Sequence, residues 1–437
     1  MKTRILLIVA IASIALAGCK KDNHEEQTTF IAVTNIVDVP TTATAGEPLT
    51  LTGTVIPTDA KNKTITWSVR DAGTTNATID AGSNILNAPA TGTVTIIANI
   101  TNGTTATTPF TKEFNITVLA PSPFSGEGTS ESPYLINSAY LLVTMRDLIN
   151  EGDEIYAAAD VYYKLTANIN LNSISSWTPI GMNSTNPFKG HFDGDGKTIS
   201  NLTITSSSSD VCGLFGYVNG GTIQKIGLTN VDINGGSNST GGVAGHLAGN
   251  GSITVCYVTG SVKSWDFAGG IAGFVYGTVS NCYTTCSVSS SSSTLITVGG
   301  IAGRNDGTIS NCYATGAISG RSNCGGIVGA NTSGTVSLCV ALNPSITRTG
   351  GTTFPTFGRV AGNNGGTLDR NVAWQGMPVS GATVSGDFND ENGLNVNKAQ
   401  INTAASYELY CPTPPWTRIN NRLPGLFGGT VEVPVHI

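Results

Sequence analysis

The chain has 437 residues, of which 39% are hydrophobic, 7% aromatic and only 11% charged, with 54 glycines. An ordinary soluble domain carries about 25% charged residues, so this composition excludes an acidic disordered tail, a coiled coil and a protein of long surface helices. No Gly-X-Y period supports collagen, and a net charge of −6 argues against a phosphate-binding surface and so against nucleic acid as a partner. A β-rich, turn-rich, extracellular protein of roughly two to three domains remains.

Residues 1–18 read as an export signal. Lys2 and Arg4 form its charged start, and Ile5 to Ala17 form an apolar stretch too short to span a bilayer comfortably. Leu16-Ala17-Gly18-Cys19 resembles the bacterial lipobox, which implies processing by signal peptidase and a lipid carried by Cys19. The polar tether 19–29, with Glu25 and Glu26 after Lys20 and Lys21, resembles the short acidic signals that send lipoproteins to the outer face of some Gram-negative anaerobes. The expectation is a surface-exposed lipoprotein of a Gram-negative outer membrane, held in the lipid through Cys19. No later apolar run has the length of a transmembrane helix.

Residues 30–119 alternate like strands at Leu49–Ile56, Thr64–Val69, Val94–Ala98 and Phe114–Val118, with turn clusters between them at sandwich-like spacing. The segment resembles the bacterial Ig-like domains that act as spacers on surface proteins. The resemblance implies that Trp67 is buried in mid-strand. No cysteine lies between Ala32 and Val211, so no inter-sheet disulfide is expected. A Pro/Ser/Gly-rich linker, 120–133, follows.

From 134 to 437 the composition changes and a repeat appears. Gly241-Gly-Val-Ala-Gly245, Gly269-Gly-Ile-Ala-Gly273, Gly299-Gly-Ile-Ala-Gly303 and Gly325-Gly-Ile-Val-Gly329 recur every 26 to 30 residues, flanked by degenerate copies at Cys212–Gly216 and Gly358–Gly362. Aligned on these, Leu214, Val243, Ile271, Ile301, Ile327 and Val360 form one apolar column. Ile223, Ile253, Val279, Ile309, Val336 and Leu368 form a second, and Ile226, Cys256, Cys282, Cys312 and Cys339 a third that ends at Asn371. The second and third columns are three residues apart, so a bend must separate them if both face inward. A period of this size marks a solenoid, whose coils bury apolar faces only against one another. The glycine pairs fit corners where φ is positive or where a neighbouring coil comes close. The simplest architecture is a right-handed parallel β-helix with its repeat core at about 211–370. The amphipathic stretch 138–150, with Leu141, Met145, Leu148 and Ile149 on one face, predicts a small capping helix at its N-terminal end. Trp416 and Leu423-Pro-Gly-Leu-Phe427 predict a closing coil and plug at the other.

Phrases such as Gly299-Gly-Ile-Ala-Gly-Arg-Asn-Asp-Gly-Thr-Ile-Ser-Asn-Cys-Tyr-Ala-Thr-Gly316 resemble the GLUG motif, a repeat of bacterial surface proteins, and Phe188–Ile204 resembles its usual preamble. Such repeats occur in adhesin-like lipoproteins and beside the peptidase domain of immunoglobulin-A proteases. The resemblance covers roughly 130–430. It implies an adhesive scaffold and names no ligand.

Little in the sequence offers chemistry. Four of the nine cysteines share one repeat column and fit a stack of small buried hydrophobes better than a disulfide framework, with Cys212, Cys286, Cys324 and Cys411 unassigned. Asp193-Gly-Asp-Gly196 mimics the start of a calcium loop, but Ile204 stands where the twelfth-position carboxylate belongs, so a β-turn is expected. Between Val211 and Arg359 the acids are Asp232, Asp266 and Asp306, with no adjacent pair for acid–base work. A site built from Asp387, Asp390 and Glu391 stays open. No catalytic residue, cofactor or metal is expected, and the chain reads as an adhesin-like binding protein for host or environmental glycans or proteins. A carbohydrate-active enzyme of the lyase or hydrolase type and a purely structural surface protein are the alternatives.

Recognition is expected on the loops between the third strand of one coil and the next glycine pair, where solenoid insertions accumulate. These carry Lys263, Trp265 and Asp266 in one coil, Arg321 and Asn323 in another, and Arg348 and Phe354 in a third. Tyr257, Tyr283 and Tyr313, each following a column cysteine, should point outward as a stacked strip and complete the candidate ligand face.

Overall fold

The computed structural model describes residues 30–205, 210–235, 238–290, 297–350, 356–380 and 382–437. The export signal, Cys19 and its tether, and Phe354 lie outside the described residues. The described residues form two compact units that divide between Ser122 and Pro123.

In the first unit, a four-stranded sheet is ordered Thr42–Thr44, Phe110–Leu119, Gly92–Ile100, Thr66–Asp71, and a three-stranded sheet is ordered Leu49–Thr50, Ile85–Asn87, Thr78–Ile79. Period-two alternation explains the long strand Gly92–Ile100, which buries Val94, Ile96, Ala98 and Ile100 and turns the residues between them outward. Leu86 from one sheet, and Leu51 just past the end of its strand Leu49–Thr50, share an apolar cluster with Val94, Ile96 and Ile116 from the other. Trp67 departs from expectation. It is only half-buried, at the margin of two clusters, and tilts against Phe114 at 6.2 Å.

The second unit is a parallel β-solenoid of about eight turns with few helices. One coil shows the plan. Thr297–Gly299 lies on one six-stranded sheet and Ala302–Asn305 on another; Thr308–Ser310 joins a nine-stranded sheet, and Tyr313–Ala314 and Ile318–Gly320 join a fifteen-stranded sheet. Pairing runs in register from coil to coil, as in Ile253 to Val279 to Ile309 to Val336. All three apolar columns face inward, and every member is buried, including the terminal Asn371.

The bend between the second and third columns is one residue in the left-handed region. Lys225, Val255, Asn281, Asn311, Leu338 and Arg370 all sit there, with φ between 51° and 56°. This lets residues three apart both point inward. The glycine pairs answer the other half of the expectation, because neighbouring coils approach closely. A Cβ on Gly300 would fall on the carbonyl oxygen of Gly326, and one on Gly326 on that of Arg359.

The N-terminal end is closed by Phe124, Tyr134, Tyr156 and Tyr163, an aromatic cluster with centroid separations from 5.3 to 6.0 Å. Within the stretch expected as linker, Phe124 and Gly128 are buried while most residues around them are exposed. The expected helix forms at Ala139–Glu151, capped by Ser138 and ended by Gly152 at φ 76°. It buries Leu142, Met145 and Ile149, while Leu141 and Leu148 are only partly covered. At the other end, Arg359 replaces the second glycine of the repeat, fully buried, and donates to the carbonyls of Asn392, Trp374 and Gly393 at 3.0, 3.3 and 2.8 Å.

Trp416 and Leu423–Phe427 do not plug that end. With Ile401, Tyr407, Cys411 and Ile437 they pack sideways on Tyr283, Tyr313, Val340, Leu342 and Val372. Residues 398–437 therefore form a strap along the outside of the fifteen-stranded sheet.

Candidate functional site

The tyrosine strip forms, and residues 398–437 pack over it, burying Tyr283 and Tyr313 and leaving Tyr257 half-buried. Tyr257 stacks on Tyr283, and Tyr283 on Tyr313, each at 5.0 Å with interplanar angles of 6° and 4°. The rings point away from the cysteine column, as expected, but the strap lies over them. Tyr313 is fully buried and its hydroxyl donates to the Pro424 carbonyl at 2.6 Å; Trp416 Nε1 donates to Asn281 Oδ1 at 3.1 Å. Burial pushes the Tyr283 and Tyr313 hydroxyls well above the usual phenol range. The strap binds here because the strip, with Val340 and Leu342, is an apolar face that no repeat covers.

The loop edge is more accessible. Trp265 is 52% exposed, Lys263 and Arg321 are exposed, and Asp266 is half-buried with its carboxyl pushed up by burial. Register runs Lys263 to Ser289 to Ser319, and Ser264 to Ser290. Trp265 and Arg321 thus leave the same corner two coils apart, about 10 Å along the axis. Asn323 Oδ1 is engaged by the Thr356 hydroxyl, and the Arg348 guanidinium lies over Phe357 at 5.0 Å, so both serve the coil edge. The structure brings Lys263, Trp265, Asp266 and Arg321 to one edge and separates them from the three tyrosines.

Another exterior column went unread in the sequence. Tyr217, His246, Phe274 and Arg304 are in register on successive coils. Tyr217 stacks on His246 at 4.6 Å, His246 meets Phe274 at 4.8 Å, and Arg304 lies over Phe274 at 4.6 Å while bonding Asp306 at 2.8 Å. Tyr276, 49% exposed, borders this file at 4.5 Å from Phe274. Burial lowers His246 to about 4, so it is neutral at pH 7. The signal was present, since each member follows the last glycine of a Gly-Gly-x-Ala-Gly phrase or its degenerate copy.

The acidic candidates serve turns. Asp195 N–H donates to Asp193 Oδ1 at 2.8 Å, Lys225 pairs with Asp193 at 3.3 Å, and Lys164 and Lys197 pair with Asp195 at 3.3 and 3.6 Å. The Asp390 carboxylate accepts backbone N–H groups from Asp387, Asn392 and Gly393 at 2.7 to 2.9 Å, which shapes the closing coil. Cys256, Cys282, Cys312 and Cys339 are buried thiols, each directed at the carbonyl two residues before it at 3.1 to 3.3 Å. Among the described residues no group of three or more His, Cys, Asp or Glu is placed to hold a metal.

Residues 294–319 match the family described as the GLUG motif. Over 162 residues, 34% of this chain, the sequence is 37% identical to 2% of Halomucin from Haloquadratum walsbyi. Over 105 residues, 24% of this chain, it is 36% identical to 12% of a protein of Evansella cellulosilytica named "Putative Gly-rich membrane protein". The chain thus spans only a small fraction of these curated relatives. A crystal structure described as that of "a putative immunoglobulin A1 protease from Bacteroides ovatus" superposes with a TM-score of 0.57 at 25% identity, covering 70% of this chain and 95% of that one.

Proposed function

We propose that this chain is a cell-surface, adhesin-like binding protein that presents the outside of its solenoid to host or environmental glycans or proteins. In this reading Cys19 carries a lipid in the outer membrane of a Gram-negative bacterium. The first unit is an Ig-like spacer, and the β-helix is right-handed. The observation that carries the reading is Trp265. A tryptophan 52% exposed at the coil edge has no core to fill, and Arg321 leaves the same corner two coils away. Exposed Trp and Arg are the residue types that dominate binding hot spots. The GLUG match and the relative named as a membrane protein support the surface location.

The test combines exposure with binding. Proteinase treatment of intact cells should remove the protein, and Cys19→Ala should release it from the membrane. On an array of glycans and matrix proteins, W265A/R321A should abolish binding with little change in Tm. Survival under proteinase, or unchanged binding by the folded double variant, contradicts the reading. Unsaturated or reducing-end products from the glycans would favour the enzyme alternative.

A further inference from the structure

We propose that a second site, a groove of about 600 Å³ on the outer face of the first coils, binds a neutral sugar of one or two rings. This deepens the binding reading and rests on it, while naming a different place and a ligand class. The volume falls within the roughly 300–1,000 Å³ typical of small-molecule sites. The floor is the outward side of the nine-stranded sheet, where Tyr162, His191 and Thr222 form one column and Lys164, Asp193 and Gln224 the next. The wall is the segment carrying Glu131 and Pro133.

The groove is built before any ligand arrives. His191 stacks on Tyr162 at 4.2 Å and 22°, and its Nδ1 is engaged with Thr222 Oγ1 at 2.8 Å, which fixes both rings. Tyr162 N–H donates to the Gly128 carbonyl at 2.8 Å and Leu135 N–H to the Ser125 carbonyl at 2.9 Å, tying wall to floor. Gly128, at φ 77°, lies where a Cβ would strike the Tyr134 ring, so the wall has little freedom to move. A preorganised site loses less affinity to ordering.

Charge selects the ligand class. The charged side chains that line the groove are Lys164, Glu131 and Asp193, and two of them are paired with partners just beyond it, Lys164 with Asp195 and Asp193 with Lys225, each at 3.3 Å. An anionic ligand would have to draw Lys164 away from Asp195. Sugar hydroxyls need not. The Asp193 carboxylate, which accepts from Gln224 Nε2 at 3.1 Å, keeps further lone pairs, and the Lys164 ammonium keeps further protons. Such paired donors and acceptors match vicinal hydroxyls, and the Tyr162 ring and Pro133 offer apolar surface to the C–H face of a sugar.

The experiment titrates the full chain with maltose, cellobiose and lactose, and with digalacturonic acid as the anionic probe, followed by calorimetry or NMR. At least one neutral disaccharide should bind. Gln224→Ala should weaken it about five-fold, Tyr162→Ala by more than about ten-fold, and Tyr162→Phe by less than about two-fold. Should Tyr162→Ala fail to fold, Gln224→Ala and Tyr162→Phe still decide. Binding of none of the neutral sugars, preference for digalacturonic acid, or indifference to Gln224→Ala overturns the proposal. If array binding that depends on Trp265 and Arg321 persists in those cases, the groove alone has failed.

Discussion

At the scale of single residues, stacking makes identity depend on what the next coil places overhead. Gly300 must lack a Cβ because the Gly326 carbonyl occupies that space. Arg359 holds the equivalent place in the last repeat, where the closing coil offers carbonyl groups to bond. Two outcomes follow. Gly300→Ala should lower stability by about 2 kcal/mol or more, read from urea midpoints. Arg359→Gly, although it restores the repeat's glycine pair, should also destabilise by about 2–4 kcal/mol, because buried carbonyls lose a charged donor. Equal or greater stability of Arg359→Gly contradicts this role. His246 gives a pH signature. Its folded value of about 4 lies below the ordinary 6.5, so the unfolded chain binds a proton that the folded chain refuses. Stability should be full above about pH 6.5 and fall as the pH drops towards 4. His246→Phe should flatten that slope, and an unchanged slope would show that other groups set it.

At the scale of elements, the coil strands were legible and the strap was not, for one physical reason. A repeated coil displays its inward positions several times over, so the three columns emerge from alignment, and even the bend between the second and third follows from their spacing. The outward tyrosines were legible in the same way, since they follow the inward cysteines. What covers them is stated once, by residues about a hundred positions away, as in the bond from Tyr313 to Pro424. No period announces such a contact. The aromatic file Tyr217–His246–Phe274 was readable from the glycine phrases, and it is the groove that no alignment could give, because its wall precedes the repeats. The strap carries its own prediction. Trp416→Ala should loosen residues 398–437, making them the first cleaved in limited proteolysis and exposing Tyr283 and Tyr313 to a hydrophobic dye. The cysteine-rich core should behave oppositely. Burial raises the Cys282, Cys286, Cys324, Cys339 and Cys411 thiols well above their usual range. Native protein at pH 8 should therefore resist alkylation of these thiols until unfolded, and reductant should leave Tm unchanged. A drop in Tm with reductant would reveal a disulfide.

At the scale of the whole molecule, a solenoid with filled inward columns has only its exterior with which to meet a partner. The exterior is divided. The strap takes the tyrosine side, the aromatic file stacks on itself, and Trp265 with Arg321 is left at an open edge. The most direct measurement compares adhesion of intact cells displaying the native chain, cells displaying W265A/R321A at the same surface level, and cells lacking the protein, on immobilised glycans and matrix proteins. Binding by the native cells alone, with the variant reduced to the level of cells without the protein, is the predicted result. Equal adhesion by all three would contradict a surface-binding role for this chain.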